Sequence, residues 1–323
     1  MIGVGCGSPR GGGSGGSSLA VTVSNSTPNV GDTITITATP TGITPTNYLF
    51  FAYDEPTDTI SFIAEQSSNV FNWAVNLVGV KLVYVVANDA TPDHAAESVE
   101  ITISSLSITN STKFNGTDEY VYVPYNASLE FGTSARSYSI WFKVDVLSGL
   151  RSIFSNNGSS STMVSALMDG SNLRLFLNTF SATIDFAVSA NTWSLLTITK
   201  DGSGNWNVYL NGVLKGSRTS TNSTDTGGQI YFGTQDGSQR FHDGNIVLPI
   251  FYDKELSLAE VVELYNGGVA IDPRSFTTSA NLVEFWGFGN GTDNSPTIVG
   301  LKGVQDATMV NMDNSNFIAD VPT

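Results

Sequence analysis

Two histidines and one cysteine are all this chain offers of the side chains that most often serve as general base, thiol nucleophile or zinc ligand. His94 and His242 fall in different predicted domains, so neither a His-based triad nor a multi-His metal site is expected. Each is read as a surface loop residue. Cys6 has no partner for an intrachain disulfide, which argues against a small stapled secreted module. The N-terminal stretch matches two catalytic patterns by spacing, G-x-S-x-G at Gly12 to Gly16 and G-x-G-x-x-G at Gly11 to Gly16. Both mechanisms need a strand before the glycines and a helix after them. Here nothing structured precedes them and the strand-like LAVTVS follows, so these are chance matches in low-complexity sequence. Ring faces that could stack on sugars remain, and strand parity nominates Tyr122, Tyr125 and Tyr209. Packing in the core or between strands is the preferred reading for each.

The elements that would position these groups are short strands. Charged residues make up 13% of the chain, about half the usual fraction of roughly 25%, and Ser, Thr, Asn and Gly fill the surface instead. With 14 Lys+Arg against 29 Asp+Glu the net charge is -15. That field repels a phosphate backbone, and no basic cluster interrupts it, so no nucleic acid partner is expected. No run of eighteen apolar residues is present, and no membrane insertion is expected. The N-terminus lacks a basic n-region and an apolar h-region, so Sec export is not expected either.

Residues 1–18 form a Gly/Ser-rich arm with too little apolar area to offset the entropy of fixing eight glycines. The arm is expected to gain order from other chains, with Gly11, Gly12, Gly13 and Cys6 as the assembly residues. Residues 19–105 read as seven short alternating strands separated by Pro, Gly, Asn and Asp, a spacing that suggests a Greek-key sandwich. The stretches VGDTITITATP and VYVVANDATPDHAAESVEITI resemble bacterial immunoglobulin-like and PKD-type domains, which implies a spacer or stalk. Trp73 is expected in its core. Residues 106–110 are a junction without proline or glycine, expected to be stiff.

Residues 111–323 form the second domain. NWNVYLNGVLKG reads as a hairpin, with Asn211-Gly212 supplying the two positive-φ residues of a type I′ turn. Trp206, Val208 and Leu210 then share one face, and Asn207 and Tyr209 the other. Ser257-Leu258-Ala259-Glu260 is a capping box that opens one short helix. Leu258, Val261, Val262 and Tyr265 form its expected apolar stripe, Gly267 ends it, and an open edge or end of the sandwich is its expected seat. The segments FNGTDEYVYVP, SYSIWFKV, NTWSLLTITKDGSGNWNVYLNGVLKG and IYFGTQDGSQRFHDGNI, then FYDKELSLAEVVELYNGG and NLVEFWGFGNGTDNS, resemble the laminin-G/pentraxin-like branch of the concanavalin A-like jelly rolls. The expected fold class is all-β: an immunoglobulin-like sandwich followed by a concanavalin A-like jelly-roll sandwich with one short helix.

That resemblance implies two chemistries to look for. Glycosidases of the laminarinase type carry a Glu-x-Asp-x-x-Glu strand with paired carboxylates on one face. No Glu-x-Asp occurs in this chain, and Glu284 and Asp293 do not imitate it, so catalysis is not expected. Pentraxin-like relatives bind calcium through a Glu-Gln-Asp run, matched here by Thr234-Gln235-Asp236, and through an Asp-Asn pair, whose counterpart is Asn156-Asn157. Two anionic ligands are missing, and Asp243 could restore one. Turn residues that satisfy backbone groups are the preferred reading, and a Ca²⁺ site at Gln235, Asp236, Asp243, Asn156 and Asn157 is the alternative.

The expected function is therefore non-enzymatic: a structural or adhesion protein on a bacteriophage particle, in a capsid decoration, fibre or tail. It would assemble in the host cytoplasm with other virion subunits and itself as a homo-oligomer, and attach weakly to host-surface glycans. The alternatives are a purely structural virion subunit, a polysaccharide-degrading enzyme, and a secreted bacterial adhesin with an extracellular location.

Overall fold

A computed structural model describes residues 17–28, 32–54, 59–75, 79–89, 94–130, 132–156, 162–178, 183–224 and 227–323. Cys6, Gly11, Gly12, Gly13 and Asn157 lie outside the described residues. The chain divides into two compact units, Met1–Ser104 and Ser105–Thr323.

The first unit contains strands β1 (Ser18–Val23), β2 (Thr33–Thr41), β3 (Pro45–Asp54), β4 (Thr59–Gln66), β5 (Val70–Ala74), β6 (Gly79–Asp89) and β7 (His94–Ile103). They form two antiparallel sheets in the orders β1-β2-β5 and β4-β3-β6-β7. Alternation builds the core: Ile34, Ile36 and Ala38 from β2 meet Tyr48 and Phe50 from β3 and Val83 and Val85 from β6. Trp73 is only half-buried and packs against this cluster from its margin.

The second unit begins with β8 (Ser111–Asn115), β9 (Tyr120–Val123), β10 (Arg136–Val144), β11 (Leu150–Ser155), β12 (Val164–Asp169), β13 (Asn172–Leu177) and β14 (Thr183–Ala187). It continues with β15 (Ser194–Lys200), β16 (Asn205–Leu210), β17 (Val213–Thr219), β18 (Ile230–Phe232), β19 (Asp243–Tyr252) and α1 (Leu258–Tyr265). The last strands are β20 (Leu282–Phe285), β21 (Thr297–Ile298), β22 (Ala307–Val310) and β23 (Phe317–Ile318). One sheet runs β17-β16-β15-β10-β19-β8-β23 with β20 also paired to β19; the other runs β14-β13-β12-β11-β18-β9-β22-β21. Alternate residues of both sheets, among them Val121, Val123, Phe154, Leu175, Val208 and Phe232, fill the space between them.

β10 and β19 are buried along almost their whole lengths, which requires cover on both faces. The inner face meets the opposing sheet. The outer face presents Trp141, Leu195, Tyr209, Val247 and Tyr252, and α1 with the segment that follows it covers them. Ser257 caps α1: its Oγ accepts from the Glu260 N–H, while its own N–H donates to Glu260 Oε2 at 2.8 Å. The buried stripe of α1 is Val261 and Leu264, with Tyr265 stacked on Trp141 at 5.8 Å. Leu258 and Val262, expected on that stripe, are more than half exposed. The helix therefore lies on an outer sheet face and does not seal an open edge. Asn266 takes the first left-handed position at its C-terminus, one residue before Gly267. The β16–β17 turn has positive φ at both Asn211 and Gly212, as its sequence requires.

The junction residues belong structurally to the second unit. The Leu106 N–H donates to Asp272 Oδ2 at 2.6 Å, and Asn290 Oδ1 accepts from the N–H groups of Thr109 and Asn110.

Candidate ligand-binding face

β9 positions the most prominent candidate side chains. Its alternation sends Val121 and Val123 into the core and leaves Tyr120 and Tyr122 part-exposed on the outer face. Tyr122 stands opposite Tyr231 on β18 and Thr308 on β22. Tyr120 lies 6.5 Å from Tyr122, 6.1 Å from Tyr231 and 6.3 Å from Phe241, between ring centroids. Four aromatic rings thus share one patch of the outer face. Tyr231 is its anchored member: the hydroxyl donates to Gln229 Oε1 at 2.6 Å, and burial raises its pKa.

The loop after β18 borders this patch. At Gly237, φ is +81°, and an added Cβ would lie 3.4 Å from both Tyr120 and Tyr231. Glycine there lets the backbone turn and approach the rings. Asp236 holds the turn together, because its Oδ1 accepts from the Ser238 N–H at 3.0 Å and Oγ at 2.7 Å. Its Oδ2 accepts from Gln239 Nε2 at 2.7 Å. Burial pushes the Asp236 carboxyl up, but these hydrogen bonds outweigh it and hold the group below its ordinary pKa. Gln235 Oε1 accepts from Arg240.

Of the described side chains nominated for calcium, Asn156 stands apart from the Gln235–Asp236 loop. Asn156 is buried beyond the end of β11, where Oδ1 accepts from the Val164 N–H and Nδ2 donates to the carbonyls of Thr162 and Thr224. Ser155 pairs with Tyr231, so Asn156 continues past the Ile230 end of β18, while Gln235 and Asp236 leave its opposite end. Asp243 opens β19 opposite Asn115 and lies 3.9 Å from Lys113 Nζ. Among the described residues, no group of three or more His, Cys, Asp or Glu side chains is placed to hold a metal ion. The donor set does not fit calcium as the relatives' motif would bind it.

Two other sequence candidates also change character. Tyr209 is 7% exposed, packed on the outer sheet face among the residues that α1 covers, so it presents no ring to solvent. His242 is fully buried rather than on a surface loop, edge-on to Phe114 at 5.9 Å. Tyr125 is 52% exposed and stands between Pro124 and Asn126. Those two line a small depression with Glu130, Asn156, Thr224 and Ile230. β9 thus runs from the aromatic patch into this depression.

The buried carboxylates serve the backbone. Glu284 accepts from the N–H groups of Phe285, Lys302, Val304 and Gln305. Asp293 accepts from those of Gly289 and Val299. Tyr120, Tyr231 and Phe241 were not singled out from the sequence. Parity with Tyr122 marks Tyr120, but the pairing of β9 with β18 depends on register between strands far apart in the chain.

Residues 115–262 match the family model of the concanavalin A-like lectin/glucanases superfamily, in its laminin G form. The second unit has the laminin G-like fold. A candidate carbohydrate-binding protein from Bacteroides ovatus ATCC 8483 superposes over 93% of this chain and 97% of its own, with TM-score 0.52 and 14% identity. That likeness describes fold alone. The receptor binding domain of botulinum neurotoxin D gives TM-score 0.40 and 17% identity over 69% of this chain and 52% of that one. The binding domain of Paraclostridial Mosquitocidal Protein 1 gives 0.36 and 18% over 68% and 52%. The chain spans about half the length of these toxin domains. Among curated proteins, none matches the sequence.

Proposed function

We propose that this chain is a non-enzymatic attachment protein on the surface of a bacteriophage particle, whose laminin G-like unit holds surface glycans weakly and repeatedly. The observation that carries the reading is the part-exposed pair Tyr120 and Tyr122, presented on a regular sheet face with Tyr231 and Phe241 behind it. Flat aromatic faces beside hydroxyl and amide groups suit sugar rings, whose C–H edges stack while their hydroxyls hydrogen-bond. The superfamily's lectin members and the Bacteroides protein's description as carbohydrate binding support that ligand class.

The first unit is an immunoglobulin-like spacer in this reading, supported by a three-stranded sheet in the order β1-β2-β5 facing a four-stranded β4-β3-β6-β7. A single cysteine in 323 residues suits a protein that folds in a reducing host cytoplasm before release. The glycine run at Gly11, Gly12 and Gly13, with Cys6, would thread between virion subunits where only glycine fits. Weak individual sites gain strength from repetition on a particle, by about 10² to 10⁴. A glycan array probed with clustered protein tests the reading, with retention expected on a subset of surface glycans. A blank array contradicts it. Release of reducing ends from bacterial polysaccharide, abolished by one Asp or Glu substitution, would replace it with an enzyme.

A further inference from the structure

The chain passes from its first unit to its second between Ser104 and Ser105, and hydrogen bonds anchor it closely on both sides of that point. On the first side, β7 ends at Ile103 and the Ser104 N–H donates to the Pro28 carbonyl at 2.9 Å. Two residues earlier the Thr102 N–H does the same to the Ser26 carbonyl at 2.8 Å. On the second side, the Leu106 N–H donates to Asp272 Oδ2 at 2.6 Å. Asp272 is itself fixed. It is buried, Arg274 Nε and Nη2 donate to its carboxylate, and the Arg274 guanidinium lies over the Phe285 ring at 5.2 Å. Asn290 then holds the segment a second time: Oδ1 accepts from the N–H groups of Thr109 and Asn110, and Nδ2 donates to the Asn110 carbonyl. Leu106 is buried, and Ile108 packs against the same apolar cluster beneath α1. Asp272 and Asn290 both lie beyond residues 115–262, the stretch that matches the family model.

We propose that residues 106–110 are a latch closed by Asp272 and Asn290, and that the hinge between the two units is confined to Ser104 and Ser105. Degrees of freedom decide the point. Each residue contributes two soft backbone dihedrals. With the N–H groups of Ser104 and Leu106 both fixed, only the φ and ψ of Ser104 and Ser105 are left to turn one unit against the other. Ser105 is exposed, so no core packing restrains it. A junction that hung free over residues 106–110 would instead act as a flexible tether, its ends about 12 Å apart on average. Opening the latch leaves a buried carboxylate one donor short and brings Leu106 into water, so the native state keeps it shut. Whatever the second unit holds is thereby carried on a short pivot.

Amide hydrogen exchange and nitrogen relaxation on the full-length chain test this. In the wild type, the amides of Leu106, Thr109 and Asn110 are expected to exchange at least about 100-fold more slowly than that of Ser105. Asn290→Ala removes the second hold alone, so it should release the Thr109 and Asn110 amides while that of Leu106 stays protected. Relaxation gives each unit its own rotational correlation time, and in the wild type the two are expected to agree within about 20%. Ten Gly/Ser residues inserted after Ser105 lengthen the pivot and leave both anchors in place. The first unit, the smaller of the two, should then tumble at least about one third faster. Leu106 and Asn110 amides that exchange as fast as Ser105 overturn the latch. Correlation times that already differ in the wild type, or that the insertion leaves equal, overturn the hinge. The wild-type readings decide the matter even if Asn290→Ala fails to fold. No glycan enters these measurements, so the hinge and the glycan reading fail separately.

Discussion

His242 is enclosed completely, with Nε2 3.2 Å from the Lys143 carbonyl, and burial pushes its pKa down to about 4. The unfolded chain takes up a proton near pH 6.5 that the folded chain refuses until about pH 4. Its contribution to stability is therefore full above pH 6.5 and is lost as pH falls toward 4, by about 3 kcal/mol. Asp293 works in the opposite sense: burial raises its pKa to about 6, so its contribution is full below pH 3.8 and is lost as pH rises through 6. Between pH 4 and 6 the two slopes oppose each other. His242→Gln removes the His242 slope, so its melting temperature relative to wild type should rise steadily as pH drops from 7 to 4. A constant difference between the two proteins across that range would contradict the assignment. The relation of His242 to its surroundings was not legible in the sequence. It sits one residue before β19 in a run of Gly, Ser, Gln and Asp that reads as loop, whereas in the fold Phe114 and the Lys143 carbonyl pack against it.

Among the elements, the loop from Thr234 to Arg240 separates two readings that the sequence left open. Its carboxylate is already satisfied by its own turn, and Asn156 is fixed at the other end of β18. Millimolar calcium is thus expected to leave the melting temperature of the wild type unchanged. Asp236→Ala should lower stability by about 1 kcal/mol through the lost turn hydrogen bonds, equally with and without calcium. A calcium-dependent rise that Asp236→Ala abolishes would show that the donors do assemble around the ion. The capping box and the Asn-Gly turn were legible because both are local devices written in adjacent residues. The face that α1 buries was not. Leu258 and Val262 have the right spacing for a stripe, but the sheet beneath decides that Val261 and Leu264 go inward.

At the scale of the whole molecule, an all-β chain with one helix was readable from alternation and turn chemistry. Which strands become neighbours was not, and the aromatic patch exists only through that pairing. Tyr209 illustrates the difficulty. Parity correctly placed it opposite the Trp206–Val208–Leu210 face, yet a helix nearly fifty residues later covers the side it occupies. The molecule that results offers ring faces on its laminin G-like unit, a surface suited to repeated display. The central claim is that the patch on β9 and β18 binds glycan, and its most direct test is surface binding of clustered full-length chain to a glycan that the array identifies. Tyr122→Ala removes one stacking face, worth about 1.4 kcal/mol, and should weaken each site about tenfold. Clustered binding should then fall by more than that factor, while thermal unfolding changes little. Undiminished binding by Tyr122→Ala and by Tyr120→Ala, both folded, would contradict the account.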